Sequence, residues 1–146
     1  MTWPPHLTVA TIVHRHDTFL MVEESPLGRR VLNQPAGHLE PGETFFDAAL
    51  RETREETGWA VALRAISGIY HYTLAEAGTT YHRVTFIAEP VRHVTNSLDA
   101  TIERAVWLSW DDIMGREAEH RSPIVARCLQ DYASGQSYPL ELLSHA

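Results

Sequence analysis

Residues 37 to 59 read GHLEPGETFFDAALRETREETGW and carry six acidic side chains, three of them inside RETREE, residues 51 to 56. The stretch begins in a segment, Ala36 to Glu43, whose two glycines and one proline read as a loop. A helix then runs from Thr44 to Thr57, with both ends signalled. Thr44 caps the start, Asp47 three residues on completes a capping-box-like arrangement, and Gly58 stands where a left-handed residue ends a helix. Phe46, Ala49, Leu50, Thr53 and Thr57 recur at helical spacing and are expected to pack on a sheet. Glu52, Glu55 and Glu56 fall at i, i+3 and i+4, so their carboxylates converge on one face, expected roughly opposite that stripe.

Upstream, LTVATIVH (Leu7 to His14) and TFLMVEE (Thr18 to Glu24) are apolar, β-branched runs parted by RHD, which predicts a hairpin. SPLGRR makes a basic turn, and Val31 to Gln34 is a short extended piece ended by Pro35. Downstream, Trp59 to Tyr72 and Thr80 to Pro90 read as two long strands joined across LAEAGT. VRHVTNSLDA is a polar loop, and Ile102 to Leu108 is one more strand. Ser109 with Asp112 caps a short helix, and a last helix over about Ser122 to Tyr132 carries the stripe Ile124, Val125, Cys128 and Leu129. The order is hairpin, helix, antiparallel strands, helices: a sheet with helices on its faces, in one domain over residues 1–146.

Composition narrows the functional classes. Twelve Lys and Arg against nineteen Asp and Glu give a net charge of −7, which opposes non-specific binding to nucleic acid or anionic membranes. No apolar run is long enough to span a bilayer and the N-terminus lacks a leader pattern, so the expected location is cytoplasmic. The single cysteine, Cys128, fits a reducing compartment and reads as a buried thiol. His14 and His16 have no cysteine or further histidine at zinc-site spacing, so zinc is set aside.

A solvated charged face is the plain alternative for the acidic helix, since like charges one turn apart cost only a few tenths of a kcal/mol, roughly, and Arg51 to Glu55 pairing offsets part of that. Two features weigh against it. The carboxylates lie near the C-terminal end of the helix, where the macrodipole disfavours anions. Clustered oxygen donors beside a glycine-rich loop also form a hard site suited to Mg²⁺, or to Mn²⁺, completed by water and substrate phosphates.

Gly37, Glu43, Arg51, Glu52, Glu55, Glu56 and Gly58 stand at the spacing of the Nudix box, a match expected by chance at roughly 10⁻⁸ per starting position from average residue usage. The chain thus resembles the Nudix hydrolases, which cleave nucleoside diphosphates linked to another moiety. One position departs, Thr53 standing where the family usually has an aliphatic residue; a β-branched threonine can still pack there. NQPAGHLE before the helix and RSPIVARCLQDYASGQSYPLELL near the end resemble the NudJ-type phosphatases of the family, which act on nucleoside tri- and diphosphates and on a thiamin pyrimidine precursor. The resemblance implies an α/β/α sandwich around a central mixed sheet, a small nucleotide or pyrophosphate substrate, no nucleic-acid or membrane partner, and a monomer.

Carried over position by position, the resemblance makes Glu52, Glu55 and Glu56 metal ligands with the Gly37 carbonyl. Arg51 becomes the arginine that orients a ligand glutamate, and Glu43 a member of the same network. Glu103, in ATIERAVW, is the candidate for a further ligand or the general base. Arg29, Arg30 and Arg83 are candidate phosphate contacts, and Tyr70, Tyr72 and Trp3 candidate base-stacking residues. Two alternatives stay open: a pyrophosphatase for ADP-ribose, dinucleoside polyphosphates or oxidised nucleotides, and a nucleotide sensor that does not cleave.

Overall fold

The computed structural model describes residues 3–75 and 77–146. Met1, Thr2 and Glu76, the last inside the LAEAGT turn, lie outside the described residues. In chain order the elements are β1 (His6–Arg15), β2 (Thr18–Glu24), β3 (Val31–Asn33), β4 (Ala36–His38), α1 (Phe45–Thr57), β5 (Trp59–Leu74), β6 (Thr79–His93), β7 (Ile102–Ser109), α2 (Trp110–Gly115) and α3 (Ile124–Ala133).

The organising strand is β1. It runs parallel to β6 over His6 to Val13, antiparallel to β4 over Thr8 to Ala10, and meets β2 at His14 and Arg15. The sheet order is β3-β2-β1-β6-β5, with β4 on β1 and β7 on β2. Because β1 is covered on both faces it reads as a near-continuous apolar run rather than an alternating one. Successive side chains point to opposite sides. Val9 joins Ala48, Ala49, Ile66, Val84 and Phe86 under α1, while Ile12 joins Met21, Leu32, Val125, Cys128 and Leu129 under α3. Helices on both faces of a mixed sheet make the expected α/β/α sandwich. The stripe of α3 is buried throughout, and burial pushes the Cys128 thiol up to about 11, so it is a packing group at neutral pH.

The punctuation of α1 is as read from sequence. Thr44 Oγ1 accepts from Asp47 N and the Asp47 carboxylate accepts from Thr44 N, a reciprocal capping box. Gly58 closes the helix in the left-handed region at φ 75°, its N–H reaching Arg54 O at 2.8 Å. Thr53 packs without exposure, and its hydroxyl is satisfied by Ala49 O and by Thr11 Oγ1, each at 2.7 Å, which is how the sheet accepts a polar group where an aliphatic one is usual.

Three expectations change. Ala36 to His38, read as part of a loop, is strand β4, because an edge of β1 stands free to pair with it. The strand β6 extends to His93, taking the first residues of the segment read as a polar loop. The packed stripe of α1 is Ala48, Ala49, Thr53, Glu56 and Thr57, whereas Leu50 is 39% exposed. The helix is therefore rotated toward its acidic side, and Glu56 lies at the packed face instead of opposite it.

Gly58 also accepts from Val94 N at 2.7 Å, and a Cβ built on it would stand 1.9 Å from Thr95 O. Both the positive φ and the contact with backbone oppose any side chain. Gly58→Ala is expected to cost at least about 2 kcal/mol of stability, read as a lowered urea midpoint with unchanged slope.

Candidate active site

At one end of the sheet, α1 lies against β4 and the loop that follows it, bordering a cleft of about 340 Å³. Glu24, Gly37, His38, Glu40, Glu52, Glu56, Tyr81, Arg83 and Arg121 are among its lining residues. The short strand β4 does two things for the acids. Its Ala36 N–H donates to Glu56 Oε1 at 2.9 Å, and its Gly37 leaves room for the Glu52 carboxyl, whose carbon would lie 2.1 Å from a Cβ at that position. Glycine at 37 is thus a steric requirement of Glu52.

Arg51 ties helix and loop together. Its Nε and Nη2 donate to the two oxygens of Glu43 at 2.6 and 2.9 Å, a bidentate pair, and Nη2 also reaches His38 O at 3.0 Å. Its Nη1 donates to Glu52 at 2.8 Å and to Glu55 at 3.2 Å. Glu43 N–H to carbonyl and side-chain contacts with Glu40 fold the loop onto itself. Hydrogen bonds from Arg51 hold the Glu43 carboxyl down at about 2.

Glu52 and Glu56 are shifted in the opposite direction. Glu56, only 6% exposed, is pushed up to about 9, first by burial, with Glu24, Glu52 and Asp99 adding like-charge repulsion against the one favourable contact from Ala36. Glu52 is raised too, burial again outweighing its bond to Arg51. Among the described residues no three carboxylate, imidazole or thiol side chains stand together as a ready-made metal cage. Glu55 is largely exposed and held to Arg51, outside the cleft lining.

The remaining sequence candidates divide. Arg83 lies on the cleft floor, 1% exposed, with Nη2 donating to Gln34 Oε1 at 2.8 Å. Tyr72 lines the cleft, but Tyr70 is a core residue bonded to Asp131 at 2.8 Å, and Trp3 is exposed outside it. Glu103 lines an adjoining depression that shares Glu24 and Arg121 with the cleft, and its carboxylate faces Arg30 at 3.6 Å. Arg29 spends its guanidinium on Ala118 O at 3.1 Å, away from the cleft. The turn that holds these two arginines is exposed and follows β2 outward, so neither it nor Glu103 joins the acidic face. Sequence reading missed Glu24 and Arg121, paired at 2.7 Å across the cleft wall, and Asp99, whose N–H is tied to Glu55 O at 2.8 Å. It also missed Thr8, Asn33 and Tyr81. For Thr8 the available signal was a polar residue inside an apolar strand, the same kind of signal by which Arg83 was found.

An α/β/α sandwich whose acid-bearing helix is clamped by arginine to a glycine-containing strand at the mouth of a cleft defines a Nudix-type hydrolase domain. The NUDIX domain family model matches residues 4–128. The chain is 40% identical over 140 residues to phosphatase NudJ of Shigella boydii, and equally to that of Escherichia coli, covering 95% of this chain and 90% of the relative. A solved NUDIX hydrolase from Nitrosomonas europaea superposes with a TM-score of 0.95 at 46% identity, over 98% of both chains. The chain belongs to the Nudix hydrolase family, and is a hydrolase acting on phosphoanhydride bonds. No helix among the described residues is long and apolar enough to cross a membrane.

The raised Glu56 gives a signed pH dependence. Between its ordinary value of 4.5 and about 9 the unfolded chain has released this proton while the folded chain keeps it, so the metal-free protein loses stability as pH rises through that window. Glu23, lowered chiefly by its bond to Arg104, acts below the ordinary carboxylate range and leaves the window untouched. Melting temperatures in chelator should fall from about pH 5 to pH 9, and Glu56→Gln should flatten that slope.

Proposed function

We propose that the chain is a Mg²⁺-dependent hydrolase, with Mn²⁺ as a substitute, that cleaves phosphoanhydride bonds of nucleoside tri- and diphosphates or a related small pyrophosphate. One observation carries the reading: strand β4 holds Glu52 against Gly37 and Glu56 on the Ala36 N–H, both lining one cleft in a setting that opposes their ionisation. Protein normally relieves such a penalty by separating the acids, and here strand, loop and Arg51 keep them together. The donor set fits a hard divalent cation, since carboxylate oxygens and a backbone carbonyl are what such ions take, usually with one or two carboxylates and several waters.

Glu52, Glu56 and the Gly37 carbonyl would hold the ion, with Glu55 at the edge of the set. A divalent cation bound there supplies neutralisation of phosphate oxygens and a bound water of lowered pKa. Arg51 fixes Glu52 through Nη1 while its other nitrogens anchor Glu43 and His38, so the ligand carboxylate does not have to be ordered when substrate arrives. Arg121, a partly exposed side chain paired with Glu24, would exchange that carboxylate for a phosphate oxygen. The proton of the attacking water is taken by an acid that lines the cleft, which favours Glu24, Glu52 or Glu56 over Glu103.

Phosphate release with Mg²⁺ from a panel of nucleoside tri- and diphosphates tests this reading. Glu56→Gln should remain folded and lose at least about 100-fold in kcat. Near-wild-type turnover in that variant, or no turnover of any phosphoanhydride by the wild type, overturns it.

A further inference from the structure

Strand β2 ends on two consecutive acids that grip the same neighbouring segment. Glu24 accepts from Arg121 Nη1 at 2.7 Å on the cleft wall. Glu23, only 2% exposed, accepts from Arg104 Nε through Oε1 and from Arg116 Nη2 through Oε2, each at 2.7 Å. Arg104 stands directly opposite Glu23 on β7, whereas Arg116 lies outside the sheet, just past the end of α2. Residues 116–121 thus meet the end of β2 twice, through Arg116 at their start and Arg121 at their end.

The segment between is pinned along its length. Arg116 binds both oxygens of Glu119, from Nε at 2.9 Å and from Nη2 at 3.0 Å. Arg29 Nη2 donates to Ala118 O at 3.1 Å, and His120 Nε2 to Ile113 O at 2.8 Å. The Arg121 N–H donates to Leu32 O on β3 at 3.0 Å. The backbone of Arg121 is therefore fixed from several sides, while among the described residues its guanidinium is held by Glu24 alone.

A buried carboxylate is a poor way to add stability, since a well-packed apolar side chain in its place often does as well or better. What it supplies is direction: two charge-assisted bonds of fixed geometry set where each partner stands. Arg104 is already placed by the β2–β7 ladder and has little need of that bond. Arg116 has no ladder to place it, and it begins the stretch that leads to the cleft. The geometry that Glu23 imposes therefore falls on residues 116–121.

We propose that Glu23 is a positioning residue for Arg121, acting through Arg116 to hold residues 116–121 against β2 and β3 so that the Arg121 guanidinium meets the phosphate chain from the cleft wall. Glu23 itself touches no substrate. Arg29, through Ala118 O, belongs to the same brace. The assignment rests on the phosphoanhydride reading for what Arg121 meets, but where the segment stands does not depend on it.

The test compares the two arginines that share Glu23, by steady-state kinetics on the Mg²⁺-loaded protein with a nucleoside triphosphate and by amide hydrogen exchange without substrate. Glu23→Gln and Arg116→Gln should each raise KM about tenfold with kcat within about twofold, and should speed exchange of the Arg121 amide about tenfold. Arg104→Gln should leave both KM and that amide as in the wild type. Arg121→Gln should raise KM to a similar extent, and adding Glu23→Gln to it should raise KM no further, because the two changes remove one interaction. Arg116→Gln, outside the sheet, keeps the comparison intact if Glu23→Gln does not fold. Equal effects of Arg104→Gln and Arg116→Gln, or additive effects of Glu23→Gln and Arg121→Gln, mark a merely structural ion pair and overturn the proposal. If the wild type turns over no triphosphate, the hydrolase reading falls and the exchange arm decides alone: acceleration at Arg121 by Glu23→Gln and Arg116→Gln but not by Arg104→Gln upholds the brace, and no acceleration overturns it.

Discussion

The structure depends on keeping carboxylates together where electrostatics would drive them apart. Glu56 occupies the last turn of α1, against the sheet, where burial, neighbouring acids and the helix dipole all oppose its charge. The backbone around it is arranged accordingly. The capping box fixes where the helix begins and Gly58 fixes where it ends, so residues 52 and 56, one turn apart, both face β4. Strand β4 then meets one with an N–H and the other with a glycine. Without β1 to pair with, three residues as short as Ala36 to His38 would have no fixed position from which to do this.

Arg51 solves the complementary problem. A single cation between Glu43, Glu52 and Glu55 does not neutralise them, but a planar guanidinium with donors in fixed directions can bond to each of the three and to a backbone carbonyl. A lysine at this position would carry the same charge without that geometry. Glu43 sits well below the usual carboxylate range because Arg51 serves it first, while Glu52, served by the same group, is still raised by its burial. The loop is therefore anchored at an acid that gives up its proton easily, and the cleft receives Glu52 and Glu56, which do not.

Much of this was legible in the chain, and the parts that were not share a cause. The helix ends, the hairpin, the paired long strands and the family spacing are local patterns, and local patterns survive into the fold. The strand at Ala36 to His38 was hidden because glycine and proline around it signal a loop, and only a distant free edge makes it a strand. The phase of α1 was misjudged because Leu50 counts as apolar in the sequence, whereas the sheet offers its side room to a small Ala48 and to the aliphatic stem of Glu56. Arg29 was chosen because positive charge stands out in an acidic chain, and Glu103 as an acid on a later strand able to serve as a further ligand or base. Glu24 ends β2 while Arg121 and Asp99 lie in two separate loops, and all three come near the acids of α1 only after the sheet has formed, so no spacing rule could have assembled them.

The charge balance of the cleft bears on the proposed need for a cation. Four carboxylates, Glu24, Glu40, Glu52 and Glu56, face it against two guanidiniums, Arg83 and Arg121, and one of the two is already paired. A polyphosphate entering such a cleft alone would be repelled, and the proton that Glu56 retains relieves only part of that excess. Divalent charge inverts the sign locally, which makes the acidic end attractive to phosphate only when it is loaded. Arg83, only 1% exposed, lies too deep to offset four acids from the floor. The proposed dependence on cations then follows from this distribution of charge, because nothing else lining the cleft offsets its acidic end.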